Sequence, residues 1–405
     1  MIDTGNTSFV IICAALVCLM TPGLAFFYGG LVGRKNVITI MMQSFISMGV
    51  VTIIWFVIGF SLAFGSDIHG IIGSLKYAFL DCVGMEPDAV YGDTVPFLTF
   101  FSYQQMFAII TPALITGAFA DRVNFKSYLI FLVIWSLLVY VPLAHWVWGG
   151  GFLAQLGAAD FAGGIVVHAS AGLAALASVF VVGKRRDMSA SAVEPHNITY
   201  VALGTGLLWF GWFGFNAGGA MGATGLASTA FVNTDITASV AMVTWLVISW
   251  IRDKSPSFVG ALTGAVAGLA TITPAAGYIK PWGAFILGIM AGVICYFAVL
   301  LRKKLDWDDA LDVWGVHGVG GMLGAVMIGV LAVSEVNGVS GLVEGNVTQF
   351  FIQLGATAFA GAYAFAVTFV ILKVINKFTP VRVSEQEELE GLDHALHHEE
   401  AYRLE

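Results

Sequence analysis

Eleven long apolar runs, separated by short polar segments, constrain this chain more than any motif does. Runs long enough to cross a bilayer, about 20 residues each, lie at 8–32, 37–64, 97–119, 127–148, 161–182, 198–218, 234–251, 256–275, 283–301, 309–333 and 347–377. Hydrocarbon offers no partner for backbone N–H and C=O groups, so segments of this length and composition must bond internally, as helices. The composition agrees, with 58% hydrophobic and 11% charged residues, and it excludes an ordinary soluble domain. The expected class is an all-α membrane protein with eleven transmembrane helices. Pro274 and Pro281 interrupt the 256–301 region, which makes it the least regular. The chain enters its first run at Ser8 without a basic leader, so that span is expected to be retained rather than cleaved.

Lysine and arginine set the orientation. With the N-terminus outside, sixteen basic residues fall on inner loops and the tail, among them Arg34, Arg122, Arg185, Arg302, Arg382 and Arg403, and only Lys76 and Lys280 fall outside. This is a strong positive-inside bias, and an even number of spans would break it. The basic residues come in short clusters between apolar runs, not on one face, so nucleic acid is not an expected partner. The loop 65–96 is acidic, with Asp67, Asp81, Glu86, Asp88 and Asp93, and reads either as a weak cation collector or as a solvated loop. Cys13, Cys18 and Cys295 lie in apolar runs and Cys82 stands alone in a loop, so neither a disulfide framework nor a metal site can be drawn.

His168 and His317 each sit in a nearly uncharged apolar run, eight residues after Asp160 and Asp309 respectively. Ionisable side chains in a membrane are costly and usually face a pathway. Spans one to five (about 8–182) and six to ten (about 198–333) then read as two halves threaded in opposite senses, with a peripheral eleventh helix at 347–377 and a tail at 378–405. His-Ala-Ser-Ala-Gly-Leu-Ala-Ala from residue 168 and His-Gly-Val-Gly-Gly-Met-Leu-Gly from residue 317 share a small-residue texture that lets helix backbones approach closely. A single membrane histidine can simply bond a neighbouring helix. A pair at equivalent places suits a small polar guest or a proton, because an apolar lumen favours the neutral imidazole and two rings can share a hydrogen bond. Asp160 opens Asp-Phe-Ala-Gly-Gly, where a carboxylate caps the N–H groups of a helix start, so its expected role is structural. Asp309 and Asp312 invite the same reading.

The run Asp160-Phe161-Ala162-Gly163-Gly164-Ile165-Val166-Val167-His168 resembles the signature of the ammonium transporter family. Thr21-Pro22-Gly23-Leu24-Ala25-Phe26-Phe27-Tyr28-Gly29-Gly30-Leu31-Val32 resembles that family's first span, and Gly211-Trp212-Phe213-Gly214-Phe215-Asn216-Ala217-Gly218 its sixth. The segment from Arg382 through Glu387-Glu388-Leu389-Glu390-Gly391-Leu392-Asp393 to Tyr402 resembles its tail. The resemblance covers essentially the whole chain. It implies an outer site where Trp148, with Phe107 and Tyr103, binds ammonium against aromatic faces, a pore gate of Phe107 and Phe215 stacked on one another, and an apolar passage lined by His168 and His317. It also implies a homotrimer in the cell membrane and a PII-type signal protein docking on the cytoplasmic face; methylammonium is a possible further substrate that the sequence does not decide. No cofactor is expected. Many relatives carry serine where this chain has Gly219, which removes one hydroxyl acceptor from the outer site and predicts that Gly219→Ser tightens binding.

Charge costs shape the expected mechanism: an unpaired buried ammonium costs on the order of tens of kcal/mol, and neutral ammonia only a few. Ammonium is therefore expected to give up its proton near the gate and cross as ammonia. The proton either returns outside or follows through the imidazoles, and the relay they offer favours the second. An ammonium sensor that transports little is the alternative. A bis-histidine haem protein is another, because facing histidines on two helices can ligate iron. No catalytic fingerprint of an enzyme appears. From Glu385 to Glu405 eight of 21 residues are acidic, and Leu389, Leu392, Leu396 and Leu404 suggest one docking face on a partly helical tail.

Overall fold

The computed structural model describes residues 1–186, 188 and 194–402, so Arg403 and Leu404 lie outside the described residues. Among these, ten helices are long and apolar enough to cross a membrane: α1 (Thr4–Leu31), α2 (Arg34–Phe64), α3 (Phe97–Phe119), α4 (Phe125–Gln155), α5 (Gly164–Val182), α6 (Ile198–Ala220), α7 (Gly225–Asp253), α9 (Pro281–Lys304), α10 (Trp314–Leu331) and α11 (Val347–Phe378). Between α7 and α9 runs a shorter apolar helix, α8 (Phe258–Ile272). Local chemistry sets many of the starts. The side chains of Asp3, Asn124, Asn197, Thr224, Ser257 and Asn346 each accept a backbone N–H in the first turn of the helix they precede.

Two helix starts lie five or more residues from the sequence expectation. α7 begins at Gly225, well before residue 234, where the Thr224 side chain caps its first turn; of the polar residues that lower its hydropathy, Ser228 and Asp235 are exposed and Asn233 and Thr234 are buried. Asn233 donates to the carbonyls of Ala276 and Ile279, and Thr234 to that of Ala230. α10 begins at Trp314 instead of 309: the Asp309 carboxylate accepts the N–H groups of Val313 (3.1 Å) and Trp314 (2.7 Å), and Asp312 adopts a left-handed φ of 59°.

Two helix pairs, α1 with α6 and α5 with α10, pack closely and antiparallel. An added Cβ on Gly23 would stand 3.0 Å from Leu207 Cβ, and one on Gly30 would stand 2.6 Å from the Asn197 carbonyl, so residue numbers rise along α1 as they fall along α6. In α5 and α10 the same logic applies. A Cβ on Gly172 would lie 2.1 Å from Gly318 Cα, and one on Gly321 would lie 2.6 Å from His168 Cβ. Only glycine permits these approaches, and the second pair brings the two histidine backbones together. Four stretches, Trp55–Gly59, Ser136–Tyr140, Gly164–Ala169 and Trp314–Gly318, are π-helical, and two of them carry the histidines.

The eleventh helix does more than lie alongside. Buried Gln353 of α11 donates to the carbonyls of Ala159 and Ala325 and accepts from Ala159 N–H, which fixes the loop before α5. The loop 65–96 is likewise structured, with two short antiparallel ribbons, Asp67–Ile68 on Ile72–Gly73 and Pro87–Asp88 on Gly92–Pro96. Asp67 in it meets His145 Nε2 of α4 at 2.9 Å, and that hydrogen bond holds its carboxyl below the usual carboxylate range.

At the opposite face, where α1 ends, the tail folds back onto the bundle. Helices α12 (Glu385–Glu390) and α13 (Leu392–His397) are short, and a capping box of Ser384 and Glu387 starts the first. The expected leucine face docks only in part: Leu392 is buried and Leu396 half-buried, but Leu389 is 51% exposed, and Leu404 lies outside the described residues. Polar bonds hold the tail. The Asp393 carboxylate accepts from Ile38 N–H, Thr39 N–H and the Thr39 hydroxyl, capping the start of α2. Glu388 accepts from Arg186 N–H and from the Arg382 guanidinium. Beneath it, buried Arg122 donates to the carbonyls of Ala118, Ala120, Gly183 and Asp308. Burial opposes the charge of Asp308, but Arg185 and Arg122 outweigh it and hold that carboxyl at about 2.

Candidate functional site

Three cavities follow one another between the two faces. The first, about 180 Å³, opens on the face that carries the N-terminus, and Tyr103, Phe107, Trp148, Phe161 and Gly219 line it. Trp148 ends the helical part of α4, and its indole N–H donates to the Asp160 carbonyl at 2.8 Å, which fixes the ring at the cavity wall. Phe107 stands edge-on to Trp148 with centroids 6.1 Å apart. The Tyr103 hydroxyl is committed: it donates to the Phe215 carbonyl at 2.6 Å. Buried Gln104 also lines the cavity, and its Oε1 has no hydrogen-bond partner among the described residues.

Phe107 and Phe215 separate this cavity from the second. Their ring centroids are 4.3 Å apart and the planes are inclined by 42°, so the expected stacked pair meets in a tilted contact. The second cavity offers only about 10 Å³, room for one water-sized guest. Apolar side chains such as Leu24, Ile110 and Leu208 line it, with Trp212, His168 and His317. His168 lies nearly parallel to Trp212 and to Phe215, at 5.3 and 5.8 Å, and Nδ1 of His168 meets Nδ1 of His317 at 3.3 Å. His317 and Phe27 line both this lumen and a third cavity of about 390 Å³ that opens on the tail face beside Asp308 and Asp312.

Asp160 lies next to this line of cavities and is nearly fully buried. One oxygen accepts from Gly163 and Gly164 N–H (2.9 and 2.7 Å), the other from Ile165 and Val166 N–H (2.8 and 3.1 Å). Gly163, at φ 121°, makes the turn that aims these four donors at one carboxylate.

A family model described as the Ammonium Transporter Family matches residues 8–402. The chain belongs to the ammonium transporter family. It is 48% identical over 402 residues to an ammonium transporter of Bacillus subtilis, covering 98% of each chain. Its fold is similar to the crystal structure of Candida albicans Mep2, with a TM-score of 0.89, 36% identity, and coverage of 95% of this chain and 88% of that one. A structure titled a sensor Amt protein matches with a TM-score of 0.90 at 28% identity, covering 97% of this chain and 98% of that one. As a member of the ammonium transporter family the protein is a multi-pass membrane transporter rather than an enzyme.

In this ammonium transporter the residues singled out from sequence come together in one line. Trp148, Phe107, Tyr103 and Gly219 share the first cavity, Phe107 and Phe215 touch, and His168 faces His317. Sequence reasoning passed over Trp212 and Phe27, although they lie inside the quoted sixth-span and first-span motifs, and it passed over Thr273 and Gln104 altogether. Thr273 had one available signal, the following Pro274, against which Gly164 packs so tightly that an added Cβ would stand 2.3 Å from Pro274 Cγ.

Proposed function

We propose that this ammonium transporter recruits ammonium at Trp148 and Phe107, strips its proton at the Phe107 and Phe215 pair, and conducts ammonia past His168 and His317, with the proton following through the imidazoles. One observation carries the reading: the narrowest cavity has room for a single water-sized guest, its wall is apolar, and its polar side chains include two imidazoles that bond one another. A cation over the aromatic wall gains about 0.5 to 2 kcal/mol, enough to concentrate it but far short of the cost of carrying its charge through that lumen. The basic loops support an outer N-terminus and a cytoplasmic tail in a cell membrane. Assembly as a homotrimer and docking of a PII-type signal protein on the tail face are the corresponding partner proposals, and methylammonium is the natural second substrate.

The sensor reading keeps one support, the likeness to the sensor Amt structure. The haem reading has lost its geometry, because the two ring nitrogens stand at hydrogen-bond distance with no space for a porphyrin between them. Purified protein in sealed liposomes separates transport from sensing: an ammonium pulse is expected to evoke a saturable inward current, absent from protein-free vesicles. Binding without flux or current would establish the sensor instead.

Gly219 refines the outer site. A Cβ there would meet the Phe161 carbonyl at 3.0 Å and its ring at 3.2 Å, so a serine fits only if the half-buried Phe161 yields slightly. Gly219→Ser is expected to lower the half-saturating ammonium concentration about threefold, the size of one modest hydrogen bond. An unchanged or higher value in concentration-dependent flux would remove Gly219 from the recruitment site.

A further inference from the structure

The two imidazoles do not stand alone in the lumen wall. Trp212 Nε1 donates to Thr273 Oγ1 at 2.8 Å, and Thr273 Oγ1 lies 2.8 Å from the Leu269 carbonyl and 3.3 Å from His168 Nε2. Trp212, Thr273, His168 and His317 are all buried. Indole N–H can only donate, and it occupies one lone pair of the hydroxyl. The single hydroxyl proton goes to the nearer partner, the Leu269 carbonyl, which can only accept. What Thr273 has left for His168 is a lone pair.

The protonation pattern of the rings follows from that one spare lone pair. His168 Nε2 carries the proton and donates it to Thr273, so His168 Nδ1 is bare and accepts from Nδ1–H of His317, leaving His317 Nε2 bare. We infer that Thr273, fixed by Trp212 and Leu269, is a positioning residue that selects the tautomers of the histidine pair and so sets the state in which inward proton transfer ends. This rests on the relay reading given above.

Proton bookkeeping shows what the selection does. A proton arriving at His168 Nε2, followed by transfer from His168 Nδ1 to His317 Nδ1 and release from His317 Nε2, ends in the described arrangement. Arrival breaks an N–H bond of ammonium and forms one at His168 Nε2, the transfer breaks His168 Nδ1–H and forms His317 Nδ1–H, and release breaks His317 Nε2–H as water or ammonia on the tail side takes up the proton. Inward transfer therefore starts from the mirror tautomer, in which His168 bears its proton on Nδ1 and His317 on Nε2. The Thr273 hydroxyl supports that mirror form when it turns from Leu269 to donate to His168. The turn of the hydroxyl moves no N–H proton: it stabilises the mirror form once the rings have exchanged their protons, and the exchange itself takes a separate set of proton transfers.

The test uses full-length protein in liposomes, with the histidine rings labelled by ¹⁵N and their tautomers read by solid-state NMR. Wild type is expected to show His168 protonated on Nε2 and His317 on Nδ1. Thr273→Val removes both capacities of the hydroxyl, and is expected to move His168 to the Nδ1-protonated form and to cut ammonium-evoked current at least fivefold. Thr273→Ser is expected to restore both, which loss of packing alone would not predict, and monodisperse elution of both variants guards against misfolding. His168 protonated on Nδ1 in wild type, or an unchanged tautomer in Thr273→Val, would overturn the inference. Expected tautomers in a wild type that passes no current would leave Thr273 as the selecting residue and overturn the relay reading instead.

Discussion

Asp160→Ala is expected to yield little or no assembled, transporting protein. The carboxylate satisfies four backbone N–H groups in the turn that leads into α5. Alanine leaves all four without a partner in a buried site, at about 1–3 kcal/mol each. Even with the losses only partly additive, the sum approaches the whole margin of about 5–15 kcal/mol that a folded domain commands. The damage is also placed where it matters, because the same loop holds Trp148 through the Asp160 carbonyl and leads directly to His168. Asp160→Asn keeps one acceptor oxygen and is expected to fall between the two. Membrane-inserted yield, thermal unfolding in detergent and ammonium flux report the effect. An alanine variant with wild-type melting and flux would show that the four N–H groups find other partners.

The second large effect is expected at the histidines. His168→Ala and His317→Ala should each lower ammonium-evoked current at least tenfold, and the double variant should be no worse than either single one. Residues that act as one relay lose the whole function when either is removed, so their effects do not add. Current in sealed liposomes, normalised to the amount of reconstituted protein, is the measurement. Independent, multiplying losses would argue that each ring contributes separately, by packing or polarity, and wild-type currents in both single variants would remove the pair from charge movement.

Much of this architecture was legible in the chain because hydrocarbon is an undemanding reader of sequence. Apolar runs of sufficient length placed the helices to within a few residues. They failed where polarity and burial part company, as in the first turns of α7, whose Asn233 and Thr234 lower the hydropathy yet are bonded inward. The histidines stood out for the opposite reason, as ionisable groups where water is scarce. The tail shows the limits of periodicity: its leucines suggested a face, but Asp393, Glu388 and Arg382 also dock it, through Thr39, Arg186 and the Val182 carbonyl, each far away in sequence. The convergence of Thr273 and Trp212 on His168 was invisible for a related reason. They belong to separate helical segments and meet His168 from a third, and no spacing within the chain records that meeting.

The cap that Asp393 places on α2 also bears on the order of synthesis. The second helix to leave the ribosome has its opening amides completed by residues made some 350 positions later. Until the last stretch of chain has been translated, Ile38 and Thr39 must borrow water or lipid headgroups in its stead. A prematurely terminated product would thus carry its defect near the start of the molecule, far from the missing end.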